Sequence, residues 1–157
     1  MSATQWLLGF HLVGAFLFVS GAVAVGVLHA AAVRRERPSE VAFLLGLTRV
    51  AVAFVGVGAL AALGFGASLV HRGGFSWSDA WVSASLALWL AAAVLGGIGG
   101  RSARHARYVA EQLAADGDRP SDELRRALTS PAAQVLNYAS FAAALAILAL
   151  MVWKPGS

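Results

Sequence analysis

The chain has 157 residues, of which 59% are hydrophobic and 13% charged, against roughly 25% charged in an ordinary globular protein. So much apolar surface has to face lipid, because in water it would drive aggregation, and a soluble domain is therefore excluded. The absence of cysteine excludes disulfides, thiolate metal sites and a cysteine nucleophile. Nine of the twelve Lys and Arg fall in two patches, 34–37 and 101–126, that flank apolar segments. This placement follows the positive-inside rule and argues against nucleic-acid binding.

The first two apolar segments predict membrane-spanning helices at about 6–33 and 40–70. Each is long enough to cross a hydrocarbon core of ~30 Å at ~1.5 Å per residue. The N-terminus carries no positive charge before the first segment, so we expect no cleaved signal peptide. Ser39 is a plausible N-cap for the second helix. Gly58, Ala62 and Gly66 repeat at four-residue spacing, which favours a face where a neighbouring helix packs closely.

A third helix is predicted at about 78–97 and a fourth at 131–153. The glycine-rich segment 96–100 would loosen the end of the third helix, serving either a bend or a close backbone approach. The polar region 101–130 has two interpretations, an amphipathic helix on the inner lipid headgroups or a cytoplasmic extension of the third helix. Ser130 and Pro131 supply a capping residue and an N1 proline for the fourth helix. The predicted fold class is all-α, a four-helix transmembrane bundle forming a single domain over 1–157.

Two patterns predict the orientation of this bundle. The loops after helices one and three carry nine Arg, whereas the opposite side carries only Arg72 and Lys154. Tryptophans are expected in the interfacial belt on that opposite side, with their indole N–H groups near water. We therefore predict both termini outside and the polar region in the cytoplasm of a bacterial inner-membrane protein. The tryptophans concerned are Trp6, Trp77, Trp81 and Trp153.

Three sequence features resemble a known family. The first helix contains His11 and Gly14 in a His-x-x-Gly pattern and closes on a basic cluster. The third helix opens on a Trp-Val pair at Trp81, and the chain ends Leu-Met-Val-Trp-Lys-Pro-Gly over 150–156. Together they resemble the domain of unknown function 2269 family of predicted bacterial integral membrane proteins, which implies a four-helix membrane protein without implying an activity. The chain is more distantly similar to the copper resistance D family and to small-membrane-protein protoporphyrinogen oxidases, which imply copper or haem.

His11, His71 and Arg49 are the candidate binding residues, because polar groups inside a span are costly. His11 could ligate haem iron or donate a hydrogen bond to a neighbouring helix. His71 could join it from helix two or lie exposed at the interface. Arg49 could snorkel, pair with Gln134 or Asn137, or hold a haem propionate or lipid phosphate. The remaining histidines, His29 and His105, are expected to be solvated.

The leading functional interpretation is a structural or accessory subunit without a cofactor, packing against itself in a homo-oligomer or against a larger membrane complex in the lipid bilayer. The alternatives are a b-type haem protein using His11 for electron transfer or cofactor handling, and an oligomeric small transporter. No carboxylate lies deep in a span and no serine has a nearby base, so we expect neither catalytic residues nor a metal site, and no enzyme.

Overall fold

The computed structural model describes residues 2–72 and 75–154, and these form helices without any strand. The elements are α1 (Ala3–Val33), α2 (Pro38–Arg72), α3 (Ala80–Ala115), α4 (Asp122–Leu128) and α5 (Pro131–Trp153). Four segments are long and apolar enough to cross a membrane: α1, α2, α3 and the segment Asp122–Trp153 that contains α5. The all-α prediction with four spans is therefore confirmed. The motif residues Pro155 and Gly156 lie outside the described residues.

The four long helices pack side by side in chain order. α1 packs along α2, α2 contacts α3, and α3 packs along α5, while the short α4 lies against α3 and α1. Contact between α1 and α5 within the described residues is slight at most, so these two helices form the edges of the row. Large apolar side chains such as Phe16, Leu60 and Val152 are 73%, 67% and 77% exposed, as expected where the solvent is lipid.

The antiparallel pairings place residues of different helices at common levels along the row. Gly14 of α1 contacts Ala62 of α2. Because the two helices are antiparallel, moving eight residues back along α1 and eight residues forward along α2 places Trp6 beside Val70. Val70 contacts Trp81 in one cluster, and Lys154, next to Trp153, lies over the Trp81 ring. We call this level the tryptophan end.

The opposite level follows in the same way. Leu45 and Ala106 lie in one cluster, and Arg49 and Ser102 each lie one turn further along their helices. On the other side of α3, Gly99 contacts Asn137 of α5, which places Gln134 beside Ser102. Arg49 is ~31 Å from Val70 and Gln134 ~28 Å from Trp153, by the rise of an α-helix. These spans match the ~30 Å hydrocarbon core of a bilayer. We call this level and the segments beyond it the arginine end; which side of a membrane it faces remains a prediction.

Beyond the arginine-end level, four elements build the best-packed part of the molecule. α3 does not end near residue 97, as expected from the sequence, but continues as a helix to Ala115. The extension interpretation of the polar region is therefore correct for 101–115, and α4 folds back onto it. The apolar faces meet in one buried cluster and do not lie on lipid. Its members are Ala32, Val41, Leu45, Ala106, Val109, Ala110, Leu124 and Leu128.

The glycine-rich segment 96–100 remains helical because α5 packs closely against it. A Cβ at Gly96 would lie 3.1 Å from the Ser140 Oγ, and one at Gly99 would collide with the Asn137 side chain. Of the two roles expected for these glycines, the close backbone approach is the one observed. Glycines would destabilise an isolated helix, and here the contact with α5 compensates for that loss.

The start of α2 is capped by a residue 79 positions away. The sequence predicted Ser39 as the N-cap of α2. The helix begins at Pro38, however, so Ser39 lies inside it and is not the N-cap. The Ser39 backbone N–H and hydroxyl instead donate to the Asp118 carboxylate at 2.7 and 2.8 Å. A carboxylate at a helix N-terminus accepts otherwise unpaired N–H groups and is favoured by the helix dipole. The two hydrogen bonds from Ser39, with Arg37 nearby, lower the pKa of Asp118.

This cap predicts a pH-dependent contribution to stability. Because the pKa of Asp118 is lowered on folding, its contribution is present above the ordinary aspartate pKa and is lost as the pH falls through the lowered value. Asp118→Asn should therefore melt at a lower temperature than the wild type at neutral pH. Its melting temperature should also fall less than that of the wild type when the pH is lowered. Thermal melts followed by circular dichroism across the acidic range test this. Parallel pH profiles for the two proteins would contradict it.

Candidate functional site

His11 lies in the interface between α1 and α2 and is only 8% exposed. Its Nδ1 lies 2.8 Å from the Ala62 carbonyl oxygen on α2. Because a carbonyl can only accept, Nδ1 carries the proton and donates it. In the neutral imidazole, this tautomer leaves Nε2 with its lone pair. His11 therefore joins two helices by a hydrogen bond and has one unprotonated ring nitrogen left.

Small residues on both helices make room for this contact. A Cβ at Gly66 would lie 3.1 Å from the His11 Cε1 and Nδ1, so the imidazole occupies the space a larger side chain would fill. A Cβ at Gly14 would lie 2.7 Å from the Ala62 nitrogen, and one at Gly58 would lie 2.6 Å from the Gly14 oxygen. The close packing face predicted for Gly58, Ala62 and Gly66 is thus present, and its partner is α1 of the same chain.

His71 is not brought to His11. It lies in the last turn of α2 and is exposed. From Gly66, which contacts the His11 ring, it is five residues further along, or ~7.5 Å with more than a third of a turn of rotation. Within the described ranges, its side chain makes no hydrogen bond or ion pair. The exposed alternative for His71 is the one observed.

Arg49 is exposed on α2 and has no protein partner among residues 2–72 and 75–154. Gln134 and Asn137 lie on α5, which packs on α3 and not along α2. The pairing of Arg49 with either amide is therefore absent from the described structure. The three candidate residues consequently occupy three separate environments and do not form one site.

Of the two histidines at the arginine end, one is exposed and the other is hydrogen-bonded to a neighbouring helix. His105 is exposed as predicted. His29 was expected to be solvated, but it is half-buried and its Nε2 donates to the Leu128 carbonyl at 3.2 Å. Leu128 ends α4, where helix carbonyls lack intrahelical donors. His29 thus holds α4 against α1, a contact between residues 99 positions apart.

Trp81 also departs from its predicted role. Trp6, Trp77 and Trp153 are exposed, but Trp81 is 92% buried, and its indole N–H has no acceptor among the described residues. Phe75 packs edge-on against its ring at 5.3 Å between centroids. The Lys154 ammonium lies 4.9 Å from the Phe75 centroid and 5.7 Å from that of Trp81. Trp81 therefore joins the α2–α3 connection to the end of α5 and does not lie in a lipid belt.

These contacts explain the motifs that distinguish the sequence. In the His-x-x-Gly pattern, His11 donates across the α1–α2 interface and Gly14 permits the close approach. In the Lys-Pro ending, Lys154 covers the two aromatic rings at the tryptophan end. The Trp-Val pair opening α3 contributes Trp81 and Val82 to the same cluster. Each motif therefore serves helix packing.

Comparison with known proteins identifies the family of this chain. No curated protein and no solved structure matches the chain. A family model described as a predicted integral membrane protein, DUF2269, matches residues 5–155. Since this match covers nearly the whole chain, the protein belongs to the DUF2269 family of predicted integral membrane proteins.

Proposed function

We propose that the protein is a structural or accessory subunit that packs, through α5, against a second copy of itself or a larger membrane complex. The proposal keeps the bacterial inner membrane as its location, with the arginine end in the cytoplasm. Its support is the position of α5 at the edge of the row. α5 packs on α3 and has only Ala144 and Ile147 buried.

The observation that carries the proposal is Asn137. Its side chain is exposed and lies three residues inside the arginine-end level, and its amide makes no hydrogen bond within the described part of the chain. An amide within a span gains by bonding to a neighbouring helix, since lipid offers it no partner. Gln134 is half-buried one turn away, and its side-chain amide likewise makes no hydrogen bond there. The Asn137 side chain also lies against Gly99 of α3, so the two amides lie on the flank of α5 beside α3. On an edge helix, they favour a partner helix that packs against this flank.

Single-cysteine variants test the proposal cleanly, because the chain has no native cysteine. Tyr138→Cys and Leu145→Cys lie on the exposed side of α5 that carries Gln134, because they are four and eleven residues from it. Phe16→Cys is a matched control on the exposed side of α1. Oxidation in native membranes should cross-link the α5 variants into a dimer or a defined larger adduct, but not the control. In addition, Asn137→Ala should weaken the association by about 0.6–2 kcal/mol, the range for interhelical hydrogen bonds.

Two outcomes would overturn the proposed function. One is cross-linking that is equal at α1 and α5, because random collision gives that result. The other is a protein that remains monomeric by light scattering in mild detergent and yields no adduct at either α5 position.

A second candidate function is binding of b-type haem, which the tautomer of His11 would allow. Nδ1 is committed to the Ala62 carbonyl, and a histidine that ligates a metal characteristically donates its other ring nitrogen to such an acceptor. Nε2 is then the atom available to haem iron. An absorption spectrum of the purified protein tests this candidate: a Soret band supports it, and a colourless preparation from haem-supplemented cells removes it.

A further inference from the structure

α2 and α3 are in contact, and buried clusters join them near both ends of α2. Leu45, Val52 and Val70 lie on one face of α2, because intervals of seven and eighteen residues are close to whole numbers of turns. Leu45 and Val70 are 1% and 8% exposed, yet Val52 is 54% exposed. One turn beyond Val52, a side chain at Gly56 would meet nothing within 4 Å. The exposure of Val52 and the open space at Gly56 indicate an apolar cleft between the two helices, the α2–α3 cleft, with these two residues on its α2 side.

Polar side chains stand at the arginine end of this cleft. Arg49 lies three residues before Val52 and one turn from Leu45. Ser102 lies one turn from Ala106, which is buried in the same cluster as Leu45, so we place Ser102 at the level of Arg49 on α3. Ser102 is half-buried, and its hydroxyl makes no hydrogen bond within 2–72 and 75–154. The mouth of the cleft therefore offers a guanidinium and a hydroxyl as donors.

Neither of the two helices at the cleft offers a carboxylate near Arg49. Sequence positions 41–78 and 80–110 contain no Asp or Glu, so neither α2 beyond its first turn nor the spanning part of α3 carries a carboxylate. Two other arginines are paired with carboxylates: Arg35 lies 3.5 Å from Glu40 and Arg107 lies 3.3 Å from Glu111. Arg49 lies ~31 Å from Val70 by helix rise, so a ~30 Å hydrocarbon core with one boundary at Val70 would place Arg49 near the lipid phosphates of the other boundary. A guanidinium at this depth favours a phosphate, which it can bind through two parallel hydrogen bonds.

We propose that the α2–α3 cleft binds an anionic phospholipid, with its phosphate on Arg49 and Ser102 and an acyl chain along Val52 and Gly56. The phosphate fits the charge at the mouth, and the apolar cleft beyond it selects a lipid over free phosphate. This assignment does not depend on the proposed function, because it concerns the chain by itself.

The test is native mass spectrometry of the delipidated protein titrated with phosphatidylglycerol in detergent. Arg49→Gln should weaken binding of the tightest lipid about tenfold or more, as expected for loss of a charge-assisted contact. The matched control Arg101→Gln removes the same charge at nearly the same level. Arg101 is exposed and lies ~140° around α3 from the buried Ala106, so this variant should leave that affinity unchanged. Gly56→Leu should also weaken binding, because it fills the cleft without meeting protein atoms.

Inorganic phosphate distinguishes the source of the ligand. An excess should not displace the lipid, and displacement would overturn the acyl-chain assignment. Equal losses in Arg49→Gln and Arg101→Gln would show a diffuse basic belt and overturn the site. Unchanged lipid binding in Arg49→Gln would also overturn it and point to a carboxylate on a protein partner. Melting curves of the lipid-free variants confirm that each remains folded.

Discussion

Gly58→Leu should destabilise the protein by about 3 kcal/mol, at the upper end of the range for overpacking. A Cβ alone at this position would collide with the Phe18 nitrogen and lie 2.6 Å from the Gly14 oxygen and 2.9 Å from the Leu17 carbonyl carbon. All three atoms belong to the α1 backbone, which cannot rotate away as a side chain could. The substitution must therefore push α1 and α2 apart over much of their interface.

Thermal or denaturant unfolding in detergent measures this effect. Gly64→Leu is a matched control on the same helix, because a Cβ there meets nothing within 4 Å, and we expect its stability to stay near that of the wild type. Gly66→Leu should give an intermediate loss, since its closest neighbour is the His11 side chain at 3.1 Å. Equal stability of Gly58→Leu and Gly64→Leu would show that α1 and α2 do not pack as described.

The spans and the small-residue face could be predicted because their causes are local. A segment of about twenty apolar residues has few alternatives to crossing a membrane. The four-residue spacing of Gly58, Ala62 and Gly66 is by itself enough to indicate a packing face. Spacing could not say whether the partner was another chain or α1. That depends on Gly14 and Gly21 of α1, which lie against Ala62 and Ala51.

Features created by distant contacts could not be predicted. The length of α3 depends on α5 packing against the glycine-rich segment, and the cap of α2 depends on Asp118. His29 was assigned to solvent because basic residues surround it in the sequence, whereas the folded-back α4 supplies its acceptor. Trp81 was assigned to the lipid belt by its place at a helix end, but Phe75 and Lys154 cover it.

The sequence singled out His11 and Arg49 as polar groups within apolar segments, but could not place them in the fold. Their separation follows from the row of helices: His11 turns into the α1–α2 interface, while Arg49 stands at the α2–α3 cleft. A closed bundle would have allowed both to face a common centre. The order of packing α1–α2–α3–α5 is set by tertiary contacts that hydrophobic spacing does not encode.

His11→Ala should lower the free energy of unfolding by about 0.6–2 kcal/mol, the range for an interhelical hydrogen bond in a membrane. The change removes the donor to the Ala62 carbonyl and leaves the close contacts of Gly14 and Gly58 in place, so four folded helices should persist. His11→Asn is the informative companion, because its amide N–H can occupy the place of Nδ1 while nothing replaces Nε2. We expect His11→Asn to recover most of the stability lost in His11→Ala.

The same pair of variants decides whether His11 also serves as a ligand. Hydrogen bonding to Ala62 needs only the Nδ1 side of the ring, whereas haem iron needs Nε2. If the purified wild type shows a Soret band, His11→Asn should be stable but colourless, and His11→Ala should be both colourless and less stable. Haem retained in His11→Asn would remove His11 as the ligand, even with the stability restored. A loss of stability equal in both variants would instead contradict the hydrogen bond, because Asn keeps the donor that Ala lacks.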